Sequence, residues 1–100
     1  MKQSIVVPTW LGMSPGKVAS QCCHAALKYG RFADARVILR VDSYEQLVAL
    51  IRAAVREKVA VGYFIDGEPT TEGTAGMATA FSFRGKDEAV NRVTGGLELC

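Results

Sequence analysis

The chain has 100 residues, of which 49% are hydrophobic and 22% charged, and its formal net charge is +2. This length predicts one domain over residues 1–100, and the composition is typical of a globular protein rather than a disordered one. No apolar run approaches the roughly 20 residues of a membrane-spanning helix, and the N-terminus lacks a secretory signal, so we expect a cytoplasmic location. A net charge this small does not indicate a nucleic-acid partner, because the placement of charges matters more than their sum.

The first half of the chain predicts two strands separated by a helix. Residues 3–9 contain a short apolar run typical of a strand buried on both faces. Ser14 and Pro15 form a helix start, and Gly30 is the expected stop. Residues 36–41 are rich in branched side chains and predict the second strand.

The second half begins with the strongest helix signal. Ser43 and Gln46 have the capping-box spacing, and an apolar stripe predicts a helix that ends near Lys58. Residues 59–65 predict a strand that places Asp66 at its carboxyl end, where α/β proteins usually bind their ligands.

Residues 67–76 form the one long irregular segment and have the composition of a binding loop. A fourth strand over 77–83 and a short helix over 86–92 follow. This order of elements predicts an α/β fold, a three-layer sandwich with a four-stranded mixed β-sheet flanked by helices.

Lys17, Gln21, His24 and Lys28 recur at helical spacing and therefore share one face of the first helix. The opposite face is apolar and small, which lets the helix pack on a sheet while its polar row points outward. It consists of Val18, Ala19, Cys22, Ala25, Ala26 and Tyr29. Such a row is either a solvated surface or part of a site.

Three cysteines cannot all pair within one chain, and adjacent Cys22 and Cys23 lack the spacing of a zinc or redox motif. We therefore expect Cys22 in the core, Cys23 at a helix edge and Cys100 exposed. The sequence predicts no metal site.

Three motifs with fixed spacing are spread over nearly the whole chain. The helix opening has the pattern Met-x-x-Gly-Lys-x-Ala-x-Gln-x-x-His-Ala, formed by Met13, Gly16, Lys17, Ala19, Gln21, His24 and Ala25. Asp66 and Thr70 are four residues apart, and Val93, Thr94, Gly95, Leu97 and Leu99 form Val-Thr-Gly-x-Leu-x-Leu. These motifs resemble those of the peptidyl-tRNA hydrolases of the archaeal and eukaryotic type, in which the second motif reads Asp-Ala-Gly-x-Thr.

The chain also departs from the family pattern beside the expected active centre. Pro8-Thr9-Trp10-Leu11 stands where the family has Arg-x-Asp-Leu, so a basic and an acidic side chain are missing. Glu68 adds a negative charge, and Gly76 falls where the family has a second threonine.

The resemblance implies hydrolysis of the ester between a peptide and the 3′-terminal ribose of tRNA, without a cofactor or metal. It implies Lys17, Asp66 and Thr70 as catalytic residues, tRNA as partner and a homodimer. The substrate-binding candidates are Trp10, Gly16, Gln21, His24, Lys28 and Thr74.

Each candidate has a structural alternative. Asp66 could instead be a turn residue that caps its own loop. The hydroxyl groups of Thr70 and Thr74 could instead accept hydrogen bonds from loop amides. His24 lies roughly 10 Å along the helix from Lys17, so we expect it to bind substrate rather than to act as a general base. Its structural alternative is a histidine that is hydrogen-bonded at the sheet edge. Trp10 is either a packing residue or a stacking platform for the terminal adenine.

Two other functions remain open because of the departures from the pattern. One is a non-catalytic RNA- or protein-binding module that kept the hydrolase scaffold. The other is an adaptor domain without affinity for RNA.

Overall fold

The structure of the protein, a computed structural model, describes residues 1–67 and 73–100. Within these residues the predicted order of strands and helices is confirmed. The bounds are β1 Lys2–Pro8, α1 Pro15–Gly30, β2 Ala35–Val41, α2 Tyr44–Arg56, β3 Ala60–Ile65, β4 Ala78–Gly85 and α3 Asp87–Thr94, with a 3₁₀ turn over Thr9–Leu11.

The four strands form one mixed sheet in the order β2-β1-β4-β3. β1 pairs parallel with β2 and antiparallel with β4, and β4 pairs antiparallel with β3. β1, β2 and β3 therefore run in one direction, and their carboxyl ends lie at the same end of the sheet. Asp66 follows β3 there, and α1 begins there too, so the topology brings the two strongest motifs together.

Central strand β1 is buried on both faces, as predicted, and its side chains alternate between two cores. Ile5 and Val7 pack under α1 with Cys22 and Ala25. Val6 belongs to a larger core formed with α2 and α3 on the other face. The predicted three-layer α/β sandwich is confirmed.

Both predicted helix starts are confirmed. The Ser14 hydroxyl accepts a hydrogen bond from the Lys17 amide at 3.3 Å, and the Ser43 hydroxyl accepts one from the Gln46 amide at 3.1 Å. The return bond differs from a capping box, because the Gln46 side chain accepts from the Asp42 amide instead of that of Ser43. α2 is thus tied to the end of β2 as well as capped.

α1 ends at Gly30 as expected, but for a different reason. The next residue, Arg31, keeps right-handed helical dihedrals, so a left-handed glycine cap does not end the helix. A Cβ atom on Gly30 would lie 2.3 Å from the side chain of Gln3, and the Arg36 guanidinium donates to the Gly30 carbonyl. Glycine here permits a close approach to the sheet.

The two outer strands of the sheet differ in their surroundings. The backbone of the C-terminal segment bonds to β2 through Arg40 and Glu98 at 3.0 Å and through Cys100 and Ile38 at 3.1 Å. β3 is the other outer strand.

Among the described residues, no helix is long and apolar enough to cross a membrane.

The three cysteines lie where the sequence predicts. Cys22 is 2% exposed and packs in the core under α1, whereas Cys23 and Cys100 are exposed. All three are free thiols.

Candidate active site

Lys17 and Asp66 form an ion pair at the carboxyl end of the sheet. The distance between Lys17 Nζ and Asp66 Oδ2 is 2.8 Å, and the side chains are 10% and 2% exposed. Lys17 comes from the first turn of α1, and Asp66 directly follows β3. A buried carboxylate is costly unless it is paired, so this pair fixes the position of the ammonium group.

The Asp66 carboxylate also accepts a hydrogen bond from the Thr74 hydroxyl, with an O···O distance of 2.6 Å. The backbone of Asp66 is held as well, because its amide donates to Met77 and its carbonyl accepts from Gly76. Gly76 has φ +79°, a left-handed conformation that glycine adopts without strain. Thr74 is 2% exposed, which argues for positioning Asp66 rather than for contact with a substrate.

Gln21 corrects the prediction that the polar row of α1 points outward. It is only 3% exposed, and its side-chain oxygen accepts a hydrogen bond from the Thr79 hydroxyl of β4. The first two residues of the row, Lys17 and Gln21, therefore face the sheet and its carboxyl end. The last two, His24 and Lys28, are exposed. Ala19, which we expected on the packed face, is exposed instead.

A cavity of about 440 Å³ opens beside the ion pair, and four of the predicted site residues, Lys17, Gln21, His24 and Asp66, line it. Its lining consists of Lys17, Ser20, Gln21, His24, Phe64, Ile65, Asp66 and Gly67. A depression of about 470 Å³ on the outer face of α2 is slightly larger, but one helix alone forms its lining. The cavity at the ion pair joins α1 to the end of β3 and is the better candidate for a site.

His24 stacks on Phe64 inside this cavity. The ring centroids are 4.6 Å apart and the ring planes differ by 7°. His24 is exposed, and its ring presents an aromatic surface that rests on a residue of outer strand β3. Phe64 was missed at the sequence level, although the alternation of β3 places it with Gly62 on the side of α1.

Three further candidates, Gly16, Lys28 and Trp10, lie outside this lining. Gly16 is exposed in the first turn of α1, and Lys28 is exposed near its end. Trp10 belongs to the 3₁₀ turn after β1 and is 45% exposed. Thr70, like Glu68, lies outside the described residues.

The site combines a held cation with the amino end of a helix. The first turn of α1 contains no acidic residue, and the positive end of the helix dipole adds to the potential around Lys17. Such an arrangement can stabilise an oxyanion or bind a phosphate. In the described part of the chain, no three His, Cys, Asp or Glu side chains lie close enough to hold a metal ion.

Charge is divided unevenly between the two ends of the sheet. The end opposite the ion pair holds the starts of β1, β2 and β3, the ends of α1, α2 and β4, and α3; we call it the basic end. Nine of the 12 Lys and Arg residues lie there, but only four of the eight acidic residues within 1–67 and 73–100, Asp34, Glu57, Asp87 and Glu88. The nine are Lys2, Lys28, Arg31, Arg36, Arg56, Lys58, Arg84, Lys86 and Arg92.

Comparison with known proteins agrees with these features. The family described as peptidyl-tRNA hydrolase PTH2 matches residues 1–100. The chain is 31% identical over 112 residues to a peptidyl-tRNA hydrolase of Methanothermobacter thermautotrophicus, covering 99% of both chains. It is 34% identical over 122 residues to one of Aeropyrum pernix, covering 98% of this chain and 94% of that protein.

A Dictyostelium discoideum relative, described as probable peptidyl-tRNA hydrolase 2, is 33% identical over 114 residues. The chain spans about half of that protein, 54% of its length. A solved Agrobacterium protein of unknown function shares the fold, with a TM-score of 0.60 and 10% identity over 99% of this chain and 96% of that one. With the family match over the full length and two archaeal relatives of matching size, the chain belongs to the peptidyl-tRNA hydrolase family PTH2, and peptidyl-tRNA hydrolysis is the activity that this membership carries.

Proposed function

We propose that the cavity beside Lys17 and Asp66 is where this chain cleaves the ester between a peptide and the 3′-terminal ribose of tRNA. The observation that supports this is the 2.8 Å ion pair, which joins the two strongest family motifs at one end of the sheet. In the net reaction, the hydroxyl of a water joins the acyl carbon, and its proton replaces the acyl group on the ribose oxygen.

Lys17 supplies the electrostatic stabilisation in this proposal. Its ammonium group, held by Asp66, lies beside the position where the carbonyl oxygen becomes an oxyanion, and the N–H groups at the start of α1 add to the field. Because the ion pair orients the ammonium before substrate arrives, little reorganisation is needed during the reaction.

Asp66 and Thr74 act through Lys17 in this scheme. The Asp66 carboxylate fixes the ammonium, and the Thr74 hydroxyl fixes the carboxylate. Gln21, held by Thr79, and His24, stacked on Phe64, shape the wall that receives the terminal nucleotide. Thr70 remains a proposed catalytic residue on the strength of its motif alone.

The first test is release of peptide from a model peptidyl-tRNA. We expect Lys17→Met to lower kcat by about 10²-fold or more, as loss of one oxyanion-stabilising donor does in other hydrolases. Arg52→Met removes an exposed cation from α2, on the other face of the sheet, and we expect it to keep wild-type activity. Wild-type protein that binds tRNA without releasing peptide would contradict the enzyme proposal and favour a non-catalytic binding module.

Lys17→Met alone leaves Asp66 buried without its cation, which commonly costs about 3–5 kcal/mol of stability. The double variant Lys17→Met/Asp66→Asn removes both charges and is expected to fold, as judged by its circular dichroism and urea midpoint. It should still lack peptide release. Full activity in this folded double variant would show that the pair is not needed.

We further propose a homodimer and a cytoplasmic location, as the family resemblance implies. Support for the dimer comes from β3, an outer strand on which Val61 and Tyr63 are 37% and 53% exposed. Exposed strand edges with apolar side chains tend to be covered by a partner.

A further inference from the structure

α1 connects the two ends of the molecule on one face. Lys17 lies at its start beside Asp66, and Lys28 lies near its end, eleven residues further on or about 16 Å along the axis. Between them, His24 exposes a ring that is stacked on Phe64. A surface with cations at both ends and an aromatic ring between them therefore runs from the cavity to the basic end.

The cations at the far end of this surface are available to a ligand. Lys28 and Arg31 are exposed, and no ion pair joins either of them to a carboxylate in residues 1–67 or 73–100. Each lies over the ring of its own neighbour, Tyr29 or Phe32, at 5.2 and 5.5 Å from the ring centre, which leaves the charge at the surface. Arg36, by contrast, bonds to Gln3 and Gly30 within the protein.

From this arrangement, we infer that the unpaired 3′ end of tRNA lies along α1, with its phosphates on Lys28 and Arg31 and a base on His24. The inference rests on the proposed function, because it takes the ester to be at Lys17. It goes further by giving the direction of the RNA, which enters from the basic end and reaches the cavity at the carboxyl ends of the strands.

The length and the chemistry of this surface both fit a single strand. A stacked strand advances about 3.4 Å per nucleotide, so 16 Å corresponds to roughly five nucleotides. Proteins bind single strands by combining cations along the backbone with aromatic rings under the bases. The excess of cations at the basic end attracts the polyanion towards this end of α1.

The decisive experiment measures the affinity of the intact protein for deacylated tRNA over a series of salt concentrations. In Lys28→Gln/Arg31→Gln, we expect Kd at low salt to rise about tenfold and the slope of log Kd against log salt to fall by about 1.4, for two lost contacts to a single strand. Arg52→Gln removes an exposed cation from α2 outside the basic end and is the control, which we expect to leave the slope unchanged.

His24→Ala provides a second readout with a different signature. We expect it to weaken tRNA binding at every salt concentration without changing the slope, because stacking releases no counterions. His24→Phe should restore the affinity. An unchanged slope in Lys28→Gln/Arg31→Gln, or an equal loss in the α2 control, would overturn the inference.

Comparing two substrates separates this inference from the proposed function. Lys28→Gln/Arg31→Gln should lose several-fold more kcat/KM on an N-blocked aminoacyl-tRNA than on the same ester of adenosine, which is too short to reach the end of α1. If wild-type protein hydrolyses both esters and the variant loses equally on both, the RNA path is wrong and the hydrolase stands. If wild-type protein hydrolyses neither, the hydrolase proposal fails, and the salt series still tests the RNA surface.

Discussion

Asp66 is a buried carboxylate whose position depends on Thr74 as well as on Lys17. Thr74→Val keeps the shape of the side chain and removes the donor, and hydrogen bonds to charged groups contribute about 1.5–3 kcal/mol. We expect kcat for peptide release to fall by about tenfold or more, because the Lys17 ammonium is then held less firmly.

Thr74→Ser restores a hydroxyl at nearly the same place and is the control for that prediction. We expect it to recover most of the activity. If Thr74→Val reduced stability but left kcat unchanged, the hydroxyl would have a structural role only.

Cys22 gives a prediction about pH. Burial raises the pKa of its thiol to about 11 from an ordinary value of 9.0, with smaller contributions from Cys100 and Cys23. Because the folded pKa is the higher one, the thiol stabilises the fold fully below pH 9, and this contribution is lost as the pH rises through 11. The difference in urea midpoint between wild-type protein and Cys22→Ala should therefore shrink between pH 8 and pH 11.

The burial of Cys22 can also be tested by the reactivity of the three thiols at pH 8. Cys23 and Cys100 are exposed and should react with a thiol reagent in the native protein, whereas Cys22 should react only after unfolding. Fast reaction of all three thiols would contradict the placement of Cys22 in the core.

Residues of the site were predictable where a motif fixes them and not where the tertiary fold does. Lys17 and Asp66 stand in motifs with fixed spacing, and the structure joins them. The partners Thr74 and Thr79 belong to a loop and a strand far along the chain, and nothing local indicates which side chain each hydroxyl meets. Helical periodicity gives a face but not what covers it, so the sequence predicts that Gln21 points outward with its row, whereas the sheet covers it.

At the scale of elements, the contact between α1 and β3 depends on Gly62. A Cβ atom there would lie 2.5 Å from the Tyr29 ring, whose hydroxyl donates to the Tyr63 carbonyl at 2.7 Å. Gly62→Ala should displace that ring and cost about 1–3 kcal/mol, as overpacking does. The urea midpoint measures the loss.

Gly96→Ala is the matched control, because a Cβ atom on Gly96 meets nothing within 4 Å and its φ is not positive. We expect its free energy of unfolding to stay within about 0.5 kcal/mol of wild type. Equal losses in the two variants would point to a backbone effect of alanine rather than to the Tyr29 contact.

The elements themselves were predictable because local signals agree with the final packing. Ser14 and Ser43 cap their helices, and the apolar run of β1 is buried on both faces. Gly30 shows the limit of local signals: its place at the end of α1 was predicted, but the reason is the Gln3 side chain, which comes from another element.

For the whole molecule, the mixed sheet followed from the order of elements, but the division of charge did not. A net charge of +2 conceals the basic end, because Lys and Arg come together only when β1, β2 and β3 run in one direction. The RNA path inferred along α1 therefore depends on the topology and not on the composition.

The proposed dimer is also a property of the whole molecule, and it depends on which strand edge is open. β2 is bonded to the C-terminal segment, so β3 is the edge we expect at the interface. Tyr63→Lys places a charge on that strand and should convert a dimer into a monomer in sedimentation velocity over a concentration series. Tyr44→Lys, at an exposed position of α2, should leave the dimer intact, and wild-type protein that stays monomeric throughout would contradict the proposal. Since α1 lies on the other face of the sheet from Tyr63, loss of the dimer should leave the slope of tRNA affinity against salt unchanged.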